Sequence, residues 1–136
     1  MLDRHLFKAR RTDGNGWVQG SLFERGLSTY IALSVLVNPI DNSEANVIIM
    51  EVDKNTICQC TSLKDKNGNL IWEHDVVVDK TIKTKGEVIY WDSEGRFTVD
   101  DVFGGKQIYT GAMWKDVEVV GNKFDNPELL RKWWKR

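Results

Sequence analysis

Asp65-Lys66-Asn67-Gly68 stands between two short apolar runs, residues 57–63 and Leu70-Ile71-Trp72, and it constrains this fold more than any other part of the chain. Asn-Gly between apolar runs is the strongest short-range hairpin signal, because both central residues of a type I′ turn need positive φ. An antiparallel hairpin with Asn67-Gly68 at its tip is therefore expected. The same idiom recurs along the chain. Residues 6–10 and 17–23 flank Asp13-Gly14-Asn15-Gly16, which predicts an N-terminal hairpin. Residues 30–37 are apolar and β-branched until Asn38-Pro39 stops them, and residues 47–52 make another short apolar strand. Between these two, residues 41–46 are polar and read as a loop or one helical turn.

The second half repeats the pattern. Strands are expected at 75–79, 85–91, 96–102, 107–110 and 117–120, with Asp92-Ser93-Glu94-Gly95 and Gly104-Gly105 as turns. Short strands about ten residues apart favour a barrel or sandwich over a parallel sheet with crossover helices. The expectation is a mostly β protein: an N-terminal β region over 1–54, an SH3-like small barrel over 55–124 and a short C-terminal helix over 125–136. Asn126 suits a helix N-cap and Pro127 the first helical position, while Leu129 with Trp133 and Leu130 with Trp134 would form an apolar ridge. So short a helix needs a surface to dock on, either the barrel or a second subunit.

The stretch from Thr56 to Val78, with Gln59, Thr61 and Lys64-Asp65-Lys66-Asn67-Gly68 in order, resembles the signature of the YopX family of small phage and prophage proteins. Two further blocks extend the resemblance. Gly86-Glu87-Val88-Ile89-Tyr90 leads to Gly95-Arg96-Phe97, and Val119-Val120-Gly121-Asn122 leads to Asn126-Pro127-Glu128-Leu129-Leu130. Weaker agreement lies at Phe7-Lys8-Ala9-Arg10 and Trp17-Val18-Gln19-Gly20. Two residues depart from the family pattern: Ser62 stands where Gly is favoured, and His74 where Glu-Gly-Asp is usual. If the Gly at the place of His74 serves a positive φ, His is among the better substitutes. The resemblance implies a β fold and a phage or prophage accessory protein in a bacterial host cell, but no reaction.

Composition narrows the functional classes. The chain has 136 residues, 41% hydrophobic and 29% charged, with a net charge of −1. That balance does not support a general polyanion binder. The N-terminus has no leader pattern, and the longest apolar run, 30–37, is far short of the roughly 20 residues needed to span a bilayer. A soluble, cytoplasmic protein is expected. Cys58 and Cys60 would share one strand face, where a mutual disulfide would be strained, and His5 and His74 lack zinc-ligand spacing. No metal and no cofactor are expected.

Glu73-His74-Asp75 invites a relay of His base and Asp orienter, but neighbours on a strand point to opposite faces, so a structural turn is preferred and no enzyme is expected. Trp72, Trp91 and Trp114 are either core side chains or aromatic contacts for a ligand. Lys80, Lys83 and Lys85 are either a solvated loop or a local nucleic-acid contact. Together with Leu129, Leu130, Trp133 and Trp134 these residues make up the candidate interaction surface. The leading expectation is a non-enzymatic protein working through contacts with a host or phage protein, or as a homo-oligomer. The alternative is a nucleic-acid-binding module built on the barrel loops and the basic tail.

Overall fold

The computed structural model describes residues 5–36, 45–107 and 112–131. The chain divides into two compact units, Met1–Gln59 and Cys60–Arg136.

In the first unit β1 (Phe7–Arg10), β2 (Trp17–Arg25), β3 (Ser28–Leu36) and β4 (Ala45–Val52) form an antiparallel sheet in the order β4-β3-β2-β1. The start of β5 (Cys58–Lys64) joins it, with Phe7 opposite Gln59 and Lys8 opposite Cys58. The sheet curls until its two ends meet. Arg11, just past β1, bridges Val52 at the end of β4. Thr12 N donates to Glu51 O at 3.2 Å, and Asp53 N donates to Arg10 O at 2.8 Å. Ala9, Ile31 and Val52 are buried inside this curl, with Val18, Leu22 and Ile57 packed against them.

In the second unit the rest of β5 pairs with β6 (Leu70–Trp72). A five-stranded antiparallel sheet follows in the order β10-β9-β8-β7-β11. Its strands are β7 (Asp75–Asp79), β8 (Thr84–Trp91), β9 (Arg96–Asp101), β10 (Lys106–Gln107) and β11 (Glu118–Asn122). Ile71, Val77, Val88, Val99, Trp114 and Val117 form its core. The strands fall close to their expected places because each apolar run is bounded by turn residues. Cys58 and Cys60 are buried and are not joined in a disulfide.

Three expectations are corrected. The first is barrel closure: among the described residues the second sheet stays open, with β10 and β11 as its edges. After the 3-10 turn Met113–Asp116, β11 pairs with β7. The second is the terminal α-helix. Pro127–Leu130 is a single 3-10 turn lying against β8, and Arg131 is already extended at φ −63, ψ 124. Trp133 and Trp134 lie outside the described residues.

The third concerns the hairpin tip. Gly68 has φ +81 and Asn67 is not left-handed, so the turn is not type I′. Gly68 N donates to Asp65 O at 3.0 Å and Asp65 N to Asn69 O at 2.8 Å, which closes a three-residue loop with Gly68 left-handed. Asp65 explains the choice. Its Oδ1 accepts from Asn67 N and Asn69 N, each at 2.9 Å, and its Oδ2 accepts from Val119 N at 3.0 Å. One buried carboxylate thus organises the loop and ties it to β11. Burial pushes this carboxyl up, but the amides of Val119, Asn69 and Asn67 outweigh it and hold the group below its ordinary range.

Both departures from the family pattern fall on left-handed backbone: Ser62 has φ 64 and His74 has φ 73. Ser62 sits where the β5–β6 register shifts, between Cys60↔Trp72 and Lys64↔Leu70. Its buried Oγ has no hydrogen-bond partner. An L-residue in this region costs about 1–2 kcal/mol, and glycine returns part of that gain as unfolded-chain entropy. Ser62→Gly should therefore stabilise the protein by about 1 kcal/mol, raising the melting temperature by about 3–5 °C. A lower midpoint in differential scanning calorimetry would refute this account of the bulge.

Candidate functional site

Two surfaces and one turn hold the groups able to do chemistry or recognition, and each is built from local sequence. The turn joins β6 to β7. Asp75 Oδ2 accepts from Trp72 N at 2.8 Å, which closes the turn, and left-handed His74 swings its ring toward β8. His74 Nδ1 meets Glu87 Oε2 at 2.7 Å, and Lys123 Nζ lies 3.9 Å from the same oxygen. Glu73 Oε2 is 3.9 Å from His74 Nε2, and Phe124 packs edge-on against the imidazole at 5.5 Å. His74 thus finds its hydrogen-bond partner on another strand, at Glu87. Sequence spacing concealed this pair because Glu87 is thirteen residues away.

The second feature is a cleft of about 360 Å3 in the second unit, between the β7–β8 turn and the turn after β9. Lys80, Lys83 and Lys85 all line it, with Val78, Asp79, Thr84 and Phe103. Val78 is directly opposite Lys85 across the β7–β8 ladder, so the two share a face. Lys83 is left-handed, φ 56. The neighbouring carboxylates are occupied with backbone: Asp79 Oδ1 accepts from Thr81 N at 2.9 Å and Asp101 Oδ1 from Phe103 N at 2.8 Å. Phe103 itself is 61% exposed. The lysines were visible in the sequence. Phe103 was not singled out there, although the Gly104-Gly105 that follows marks it as a turn-tip residue.

The third feature belongs to the first unit. Opposed residues of β3 and β4 share a face, so Val47 and Ile49 lie on the outward face with Ala32, Tyr30 and Glu51. Val47 is 66% exposed and Ile49 57%. Phe23 stacks on Tyr30 with ring centroids 5.3 Å apart, continuing that face across β2. A separate cleft of about 450 Å3 in this unit mixes Arg10, Arg11 and Lys54 with Glu51 and Asp53.

The remaining candidates divide by burial. Trp72 and Trp114 are buried, and Trp114 belongs to the core of the second unit. Trp91 is half-buried, with Lys106 Nζ 5.7 Å from its ring centroid. Leu129 and Leu130 are half-buried in the 3-10 turn beside β8. Among the described residues no group of three or more His, Cys, Asp or Glu side chains is placed to hold a metal ion, and no helix is long and apolar enough to cross a membrane.

A family model described as YopX protein matches residues 7–131. No curated protein matches the sequence.

Proposed function

We propose, from the premise that this chain belongs to the YopX family, that it is a non-enzymatic accessory protein of a phage or prophage acting through protein contacts. Its first partner is a second copy of itself. The observation that carries this reading is the outer side of β4. Among the described residues, its stretch from Ala45 to Met50 pairs only with β3, which leaves its outward edge without a second strand among them. Unpaired edges with apolar side chains are templates for strand addition, and soluble proteins usually blunt them with charge or proline. Here the sequence is Ala45-Asn46-Val47-Ile48-Ile49-Met50, without a charge. Antiparallel pairing of two β4 strands across a two-fold axis would satisfy both edges and set Val47 and Ile49 beside apolar cross-strand neighbours. Each such cross-strand pair contributes about 0.2–1 kcal/mol. The phage or prophage setting rests on the family resemblance alone.

Sedimentation velocity tests the assembly. Wild type should run at twice the 15.7 kDa chain mass or a larger multiple. Ile49→Lys should run as a monomer with little change in melting temperature, since the side chain it replaces is already more than half exposed. A wild-type protein that stays monomeric at about 100 µM, where even a Kd near 10 µM would populate the dimer, would rule out self-association.

A further inference from the structure

We infer that the cleft bounded by Lys80, Lys83, Lys85 and Phe103 is a binding site for single-stranded nucleic acid, with the lysines on phosphates and the phenyl ring stacked on a base. Four observations converge on it. First, three lysine side chains line one small concavity, their stems and Phe103 giving it a largely apolar wall, and among the described residues none of the three is in an ion pair. Asp79, the one carboxylate among the described residues of the lining, is buried and its Oδ1 accepts from Thr81 N, so the three lysines supply the charge that the cleft offers to solvent. Second, Phe103 is held out at 61% exposure while its own amide is fixed by Asp101, which presents a preset aromatic face. Every base has a π-face, and that face is accessible only when the base is unpaired.

Third, Lys83 occupies left-handed backbone, where Gly or Asn would be cheaper. Strain retained at a surface turn points to a use for the side chain it carries. Fourth, the cleft of about 360 Å3 lies in the range of small-ligand pockets and can take a base with its flanking phosphates. With a net charge of −1, the chain as a whole has no general pull on polyanions, so this patch stands out by its position. An acidic peptide would satisfy the lysines but would leave the flat ring without a matching face, which favours the nucleic acid.

Fluorescence anisotropy of a labelled oligo(dT) of about 20 nucleotides, titrated with the full chain, tests the site. Three phosphate contacts predict a salt slope near −2, so raising salt from about 50 to 200 mM should weaken binding about 20-fold. Phe103→Ala should weaken it by about 5- to 150-fold, the range for loss of one stacked base. Lys83→Gly removes one cation and relieves the left-handed turn together. It should weaken binding several-fold and flatten the salt slope by about 0.7, while the melting temperature holds or rises. That combination separates recognition from folding. Absence of oligo(dT) binding at low salt would overturn the inference, and so would binding that both variants leave unchanged. Capture of a labelled poly-glutamate peptide in place of the oligonucleotide would also overturn it.

Discussion

Gly86→Ala is expected to cost the second unit about 3 kcal/mol, lowering its melting temperature by about 10 °C or leaving it unfolded. Gly86 is buried at the centre of the second sheet, opposite Val77 on β7 and Asp101 on β9. A Cβ at this position would stand 2.2 Å from Asp100 O and 2.7 Å from Asp100 C. A flexible side chain could turn aside from such an overlap, but a backbone carbonyl cannot. Relief requires β8 and β9 to part, and parting them breaks the ladder that carries Val88 and Val99 into the core. Urea unfolding followed by tryptophan fluorescence would measure the loss, since Trp72 and Trp114 are buried in this unit. A midpoint within about 2 °C of wild type in a parallel thermal melt would show that β8 and β9 are not held this close.

Asp65→Ala should be comparably damaging, at about 3 kcal/mol. Three backbone amides lose a charged acceptor, and hydrogen bonds to charged groups contribute about 1.5–3 kcal/mol each before the freed turn amides find water. Asp65→Asn should recover part of this, because one amide oxygen still accepts. The carboxylate also sets a pH dependence. Burial acts to raise its pKa, but the amides of Val119, Asn69 and Asn67 prevail, so the folded value lies below the unfolded one. Its stabilisation is therefore fully present above the unfolded carboxylate value near pH 4, and it is lost as pH falls through the folded value. Urea midpoints between pH 5 and pH 2 should fall more steeply for wild type than for Asp65→Asn. Parallel curves for the two proteins would mean that the buried carboxylate is not held ionised.

Turn chemistry made most of the fold legible. Asp13-Gly14-Asn15-Gly16, Asp65-Lys66-Asn67-Gly68, Asp92-Ser93-Glu94-Gly95 and Gly104-Gly105 each lie between strands that pair. What stayed hidden depends on contacts remote in sequence. Asn67-Gly68 carries the same local signal for a type I′ turn and for the observed loop, and the choice falls to Asp65, whose second oxygen binds Val119 from 54 residues away. The C-terminal pattern has good capping residues, but four-residue spacing cannot say how many turns survive, and Arg131 is already extended. At the candidate sites the lysines were readable as an alternating series. Phe103 became part of their cleft only because β9 brings its end beside the β7–β8 turn. Glu87 joined His74 for a similar reason: the left-handed turn at His74 re-aims a ring that strand alternation would have sent elsewhere.

The bridge between Arg11 and Val52 would limit how far the proposed assembly can proceed. It occupies the outer side of β4 beyond Met50, so an incoming strand finds six residues, Ala45–Met50, and then a backbone already taken. Six residues span about 20 Å, the length of an ordinary strand, and leave little room for a partner to slide. A strand that slips toward the bridge loses hydrogen bonds with each step. Once two copies have joined along this segment, each has spent the open part of β4 on the other. In such an assembly the bridge that closes the interior of the first unit would act as an end stop, favouring a finite pair over an open-ended stack of strands.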